Sequence, residues 1–285
     1  GRKLNIVWFK RDLRMLDHGP LSDACANGKI LPLYILEPNL WRQPDVSYRH
    51  FLHLQHYLSQ LDDMFIKRGA KLVIKVGEAL PVLKSLATRH NVKAIFSHYE
   101  TWNKFSKDRD SAIRKWTDEN SIDWKEYQQN GVVRNLNSRD GWSTLWHNHM
   151  RKKIYGVPEK IFCISEDSDN LPSFHDLQLE FDGFEPNTNL GKIEPGIVLK
   201  SFLTVRGENY QREMSGPLLS ADSCSRLSTH IAFGTISIRT IFQRTQEQTQ
   251  ERLDLVGDKL KNWRASYNSF QKRLRWHCHF IQRLE

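Results

Sequence analysis

Leu4-Asn5-Ile6-Val7-Trp8-Phe9 runs directly into Lys10-Arg11-Asp12-Leu13-Arg14. The first six residues, a short and mostly apolar run, read as a strand of a parallel sheet. Its carboxyl end then delivers three cations within five residues, at the edge where open α/β sheets take their ligands. No glycine-rich turn follows. GxGxxG and the P-loop are both absent, so the backbone cannot cradle a pyrophosphate here, and the dehydrogenase and NTPase readings lose support. A structural alternative is that Arg11 and Arg14 pair with Asp12 and Asp17 to fasten the loop.

Outward from this strand, short apolar runs alternate with longer amphipathic ones, the pattern of βαβ units. Further strands are predicted at Ile30–Leu36, Lys71–Lys75, Ala94–Ser97 and Ile122–Tyr127. Helices are predicted around Pro20–Ala26, Ser47–Lys67, Leu80–His90 and Lys104–Glu119, with Phe51, Leu54, Leu58, Leu61 and Phe65 at helical spacing. The expected fold is an α/β doubly wound parallel sheet over residues 1–132. A short helix within Arg139–Tyr155 carries Trp142, Leu145 and Trp146. From Gly156 to Gly196, Pro158, Pro172, Pro186 and Pro195 break regular elements, so residues 133–196 read as an interdomain linker draped over the surface. Residues 197–285 read as helical: Leu199–Met214, Ser228–Phe233, Ser237–Arg252 and a run from about Leu255 to the end.

Composition narrows the class. With 285 residues, 39% hydrophobic and 26% charged, the chain can bury a core, which excludes disorder and a disulfide scaffold. The net charge of +9 favours a polyanionic partner. No stretch approaches the roughly 18 apolar residues of a membrane span, and the start lacks the features of a signal peptide, so a cytoplasmic location is expected. Cys25, Cys163, Cys224 and Cys278 are scattered without metal spacing. His147-Asn148-His149 and His277-Cys278-His279 put their histidines two residues apart, which diverge on a helix. His50, His53 and His56 lack a carboxylate or thiolate companion. No metal site is expected.

The most informative helical segment is Ser223-Cys224-Ser225-Arg226-Leu227-Ser228-Thr229-His230, followed by Ile231 to Ser237. Ser228 suits the N-cap of a short helix that Gly234 ends, and Ser237 suits the next N-cap. Hydroxyls and open amides at a helix start bind phosphate, and Arg226 adds a bidentate charge; ordinary capping is the structural alternative. Farther on, Phe270, Leu274, Trp276, Phe280, Ile281 and Leu284 share a helix with Lys272, Arg273, Arg275 and Arg283. Such a helix packs one side in a core and offers cations on the other.

Taken together, Val7-Trp8-Phe9-Lys10-Arg11-Asp12-Leu13-Arg14 with Asp17 and Pro20-Leu21, Ser225-Arg226-Leu227-Ser228 through Phe233-Gly234 and Ser237-Ile238-Arg239, and Leu274-Arg275-Trp276 resemble the DNA photolyase and cryptochrome family, in the right order over nearly the whole chain. The resemblance implies an antenna domain over 1–132 and the start of an all-α FAD-binding domain over 197–285. It implies FAD contacts at Tyr210, Cys224, Ser225, Arg226, Leu227 and Ser228. Trp276 matches the tryptophan that packs against the lesion, and Glu100 falls near a glutamate that meets a folate antenna in some members. Four departures stand out, one being His277-Cys278-His279 in place of the usual Arg-acid pair after the tryptophan. Cys224 replaces a common Thr and Thr229 a common Pro, while Arg273 stands where many members carry a carboxylate or amide that hydrogen-bonds the lesion.

The function this resemblance implies is light-driven repair of pyrimidine dimers in damaged double- or single-stranded DNA, a carbon–carbon lyase reaction using reduced FAD with a folate or other antenna chromophore. The alternative is a cryptochrome-type photoreceptor that signals to a protein partner without repair. A nucleotide-binding enzyme such as an adenylyl-transfer protein would want an HxGH or SGGxD loop, and the sequence has neither. Family members continue for about 200 further residues, a domain's worth. The chain is therefore expected to be C-terminally incomplete and to retain flavin poorly.

Overall fold

The computed structural model describes residues 3–41, 48–100, 103–132, 136, 140–173, 175–177, 194–208, 227–252 and 255–282. They divide into two compact units, one of residues 1–129 with 155–188 and one of 130–154 with 189–285.

The first unit is built on five parallel strands, β1 (Leu4–Phe9), β2 (Lys29–Leu36), β3 (Val73–Val76), β4 (Val92–His98) and β5 (Asp123–Tyr127). Their order is β3-β2-β1-β4-β5, so the winding reverses between β1 and β4. All six residues of β1 are buried, as its composition requires of a central strand. Helices α1 (Gly19–Ala26), α2 (Pro38–Trp41), α3 (Tyr48–Ile66), α4 (Ala79–Arg89) and α5 (Lys104–Glu119) connect the strands. Asn103 and Ser106 form a reciprocal capping box that fixes where α5 begins. The doubly wound sheet expected from the sequence is the one observed.

Two details depart from the sequence reading. β3 starts at Val73, two residues later than expected, because the Leu72 amide donates to Asp62 Oδ1 instead of to the ladder. Residues 161–169, read as surface linker, pair with the sheet: the Ile30 amide donates to Phe162 O and the Ile164 amide to Ile30 O. Ser168 Oγ and Asp169 Oδ2 then accept the Ile74 and Val76 amides, covering the open edge of β3. Glu166 anchors this segment on Lys75, Arg89 and His90, and these donors hold its carboxyl down at about 2 against the opposing effect of burial.

The second unit contains α6 (Trp142–Arg151), α7 (Pro195–Ser201), a π-helical turn (Phe202–Arg206), α8 (227–233), α9 (Ile238–Glu251) and α10 (Gly257–Gln282). Its core gathers Trp146, Leu199, Phe202, Ile241, Phe242, Trp263, Tyr267 and Leu274, with Trp146 edge-on to Phe242 at 5.5 Å. Gly131 (φ +69°) lies against this core, since a Cβ there would meet Trp146 Cδ1 at 2.5 Å.

Candidate functional site

The reversal between β1 and β4 opens the carboxyl edge of the sheet, and charged side chains converge there from three elements. Immediately after β1, the Lys10 amide donates to Asp12 Oδ1 at 2.6 Å. Asp12 is fully buried, and its Oδ2 accepts from His18 Nε2 at 2.8 Å and from His98 Nδ1 at 2.7 Å. His18 also caps α1: its Nδ1 accepts the Leu21 amide at 3.0 Å. That bond fixes the tautomer, because an amide can only donate, so Nε2 carries the ring proton and points it at Asp12.

Burial works against every charge in this cluster. It would raise the Asp12 carboxyl, but the two imidazoles overcome it and hold the carboxyl well below its ordinary range. Burial lowers His18, and pushes His98 down to about 3. The stable state is one carboxylate between two neutral rings. Among the described residues these three form a group with metal-ligand geometry, their candidate atoms within 4.8 Å of one another. The hydrogen bonds use that geometry otherwise, since a cation at His18 Nε2 would have to displace the proton that the cap at Nδ1 holds there.

The structural alternative for the cationic loop holds for Arg14. Its Nε and Nη2 donate to Asp17 O at 3.1 and 3.0 Å and its Nη1 to Gln129 Oε1. Asp17 in turn sits at φ +54°, accepting the Tyr155 amide on its side chain. Asp12 pairs with histidines and not with either arginine. Arg11 is exposed, while Lys10 lies 4.1 Å over the Trp8 ring and donates to His98 O.

A second buried network borders the first. Arg109 reaches from α5 to Glu37, just past β2, at 2.7 Å, to Glu100, just past β4, at 2.6 Å, and to its neighbour Asp110 at 3.0 Å. Burial lifts Glu37 to about 7, helped by the Glu100 charge and opposed by Arg109, and one of its carboxylate oxygens is buried without a hydrogen-bond partner. Glu100 goes the other way, held low by Arg109 and then Lys10 in spite of burial. The sequence-predicted antenna residue Glu100 is therefore placed at the sheet's ligand edge, with its carboxylate engaged by Arg109. Sequence reasoning missed His98, Glu37 and Arg109 as its companions. Only the Lys10–Arg14 segment and Tyr99-Glu100 pointed toward the region.

In the helical unit, Tyr210, Cys224, Ser225 and Arg226 lie outside the described residues. Leu227 is already helical, with its side chain in the core. Ser228, expected as N-cap, is itself helical and exposed, because Leu227 before it is already helical. Gly234 ends the helix at φ +67°, and the Thr235 amide closes the turn on His230 O. Ser237 caps α9 as expected, accepting the Thr240 amide at 2.9 Å. Arg273 is exposed on α10. The backbone of Trp276 belongs to the same helix, and its side chain lies outside what is described. Of the proposed diphosphate contacts only Leu227 and Ser228 are described, and Leu227, with its side chain in the core, can contribute only backbone.

Residues 5–139 match the family model DNA photolyase. The chain is 25% identical to the chloroplastic/mitochondrial cryptochrome DASH of Arabidopsis thaliana over 89% of this chain and 49% of that protein. It is 29% identical to the deoxyribodipyrimidine photo-lyase of Salmonella typhimurium over 39% of this chain and 24% of that protein. The chain thus spans half or less of the length of these relatives. Among solved structures, a Synechocystis cryptochrome (TM-score 0.76, 20% identity) and a class III photolyase from Agrobacterium tumefaciens (TM-score 0.74, 19% identity) each cover 98% of this chain and are themselves covered over 60%. At that identity the likeness is one of fold. Among the described residues, no helix is long and apolar enough to cross a membrane.

Proposed function

We propose, for a chain that belongs to the photolyase/cryptochrome family, that its helical unit holds the diphosphate of FAD and serves light-driven reversal of pyrimidine dimers in DNA. The α/β unit is then the antenna domain. The observation that carries the reading is helical Leu227–Phe233 ended by the Gly234 turn and followed by the Ser237 cap, in chain order after Ser225 and Arg226. First-turn amides and the helix dipole favour a bound anion, and Arg226 adds a charged fork matched to phosphate oxygens. Tyr210 and Cys224 complete the proposed phosphate contacts. When bound, reduced FAD supplies the light-driven electron. The polypeptide's tasks are to hold the diphosphate, keep a flipped-out pyrimidine dimer against α10 at Trp276, and bind the DNA backbone with its surplus of cations. For the antenna chromophore, a folate or another ring system, Glu100 is the proposed contact, where a ligand N–H would compete with Arg109 for the carboxylate.

Exposed Arg273 favours a second reading, a cryptochrome-type photoreceptor with a protein partner: a cation cannot accept the hydrogen bond that reads a thymine carbonyl's neighbouring N–H. A cytoplasmic location is proposed from the lack of apolar spans in the sequence, and cell fractionation tests it. Blue-light irradiation of a dimer-containing oligonucleotide with the chain and reduced FAD separates the two functions. Loss of dimers under light supports repair, and their persistence beside bound FAD favours signalling. Arg226→Ala should weaken FAD binding, and unchanged affinity would defeat the phosphate role.

A further inference from the structure

Of the four cysteines only Cys224 enters the flavin reading. Cys25 and Cys163 both belong to the α/β unit, Cys25 in the last turn of α1 and Cys163 in the segment that pairs with β2. Residues paired across a parallel ladder point their side chains to the same face of the sheet. Cys163 pairs with Ile30, and Ile30 pairs with Asn5, so the three share one face. Asn5 identifies that face as the one α1 covers: its Nδ2 donates to Ala24 O at 3.4 Å and to Asn27 O at 3.3 Å, carbonyls that flank Cys25. Ile164, the next residue along, takes the opposite face and packs against the cluster that contains Leu31, Leu83 and Ile113. The alternation of an extended chain therefore turns the Cys163 thiol toward α1.

The two sulfurs also feel one another. Burial pushes the Cys25 thiol up to about 11, and the charge of Cys163 adds to the rise. Both are free thiols and half-buried, so a small solute can reach them, whereas Cys278 is fully buried in the helical unit. The Cys163 Sγ donates to Ile164 O at 3.1 Å and to Lys71 O at 3.9 Å, weak bonds that a sulfur gives up at little cost. The segment that carries Cys163 covers the open edge of β3, where Ser168 and Asp169 accept the Ile74 and Val76 amides. In the reduced protein that cover is held by these bonds and by Glu166 on Lys75, Arg89 and His90.

We propose that Cys25 and Cys163 form a reversible disulfide that fastens residues 161–169, the cover of the β3 edge, to α1. The oxidant is a low-molecular-weight disulfide such as oxidised glutathione. One protein thiolate attacks it, and a mixed disulfide forms as one glutathione thiolate leaves. The second protein thiolate attacks the protein sulfur of that mixed disulfide and releases the other glutathione. The two protein thiols give up two electrons and two protons, and the oxidant takes them up as two thiols. Because the attack needs a thiolate, burial of both groups makes the exchange slow at neutral pH and faster in alkali.

The test incubates the whole chain, dilute enough that chains do not cross-link, with excess oxidised glutathione at pH values from about 7 to 9, blocks the remaining thiols and reads the unreduced peptides by mass spectrometry. A peptide joining Cys25 to Cys163 should appear, at a rate that rises roughly tenfold per pH unit, and dithiothreitol should dissolve it. Amide exchange then reads the edge. In the oxidised protein the β3 peptide with Ile74 and Val76 should exchange at least roughly tenfold more slowly than in the reduced one, and Cys25→Ser should abolish the difference. Cys163→Ser is the second control should Cys25→Ser fail to fold. Glutathione adducts on both cysteines without a joining peptide would place the sulfurs too far apart and overturn the proposal. No reaction at either cysteine, under conditions that fully oxidise a free-cysteine peptide, would overturn it as well. A joining peptide with unchanged exchange at β3 would overturn the fastening role.

Discussion

Replacing Asp12 by Asn removes one charge from the centre of the α/β unit. Asp12 accepts from the Lys10 amide, His18 Nε2 and His98 Nδ1. The cap on α1 fixes the His18 proton, so an Asn nitrogen in place of either oxygen must face a donor. Hydrogen bonds to a charged acceptor contribute about 1.5–3 kcal/mol each, and breaking a buried charged pair costs about 3–5 kcal/mol. Asp12→Asn should therefore lose about 3–5 kcal/mol, a large share of the roughly 5–15 kcal/mol typical of a domain. The pH dependence has a fixed sign. His18 and His98 are lowered in the folded protein, so the unfolded chain takes up protons first as pH falls below about 6.5. Their contribution is complete above that pH and is lost on acidification, for His98 down toward 3. Glu37 opposes them: its raised carboxyl stabilises the acid side between about 4.5 and 7. The decisive slope is thus read in Glu37→Gln, where uncompensated His98 gives up to about 1.4 kcal/mol per pH unit below 6.5 and His18 acts in the same direction. Amide exchange of the β1 peptide against urea, read by mass spectrometry, follows this unit alone. A loss under 1 kcal/mol in Asp12→Asn, or a flat profile from pH 6.5 to 4.5 in Glu37→Gln, would refute the carboxylate-between-neutral-rings account.

Three further outcomes follow from single contacts. Glu37→Gln should gain on the order of 2 kcal/mol relative to the parent at pH 8 and lose that advantage at pH 5, because the buried carboxylate is ionised only above about 7; equal differences at the two pH values would contradict it. Gly131→Ala should cost about 2–4 kcal/mol in the helical unit by forcing Trp146 from its place and straining a positive φ, and a thermal melt within 1 °C of the parent would count against that packing. Ser237→Ala should cost about 1 kcal/mol through the lost cap on α9, with Ser237→Asp retaining stability in the same urea titration.

Local signals carried the α/β half. β1 is apolar on both faces because a central parallel strand is covered on both, so composition alone locates it, and the apolar spacing of α3 does the same for a helix. Edges were harder: Asp62 competes for the Leu72 amide and delays β3, which propensity does not encode. Residues 161–169 look like linker because their ladder partners are side chains of Ser168 and Asp169, not a periodic strand. α2, four residues long, has too few turns to show a period. The site was legible only in part. Asp12 meets His98, 86 residues away, and Arg109 meets Glu37, 72 residues away, and only the sheet order brings such partners together. In the helical half, Ser237 and Gly234 announced their roles through capping chemistry. The π-turn was invisible: Leu199–Met214 reads as one helix, and Gly207 was its only break.

The proposed flavin site is the stretch from Tyr210 to Ser228, gripping a diphosphate in the service of photochemistry. Its most direct test is a count of pyrimidine dimers in an oligonucleotide exposed to blue light with FAD-loaded chain, beside an identical dark sample. Dimers should disappear in the light with the chain and persist with Arg226→Ala at a flavin concentration that saturates the parent. Equal dimer loss with the two proteins, or none with either while flavin stays bound, would contradict the account.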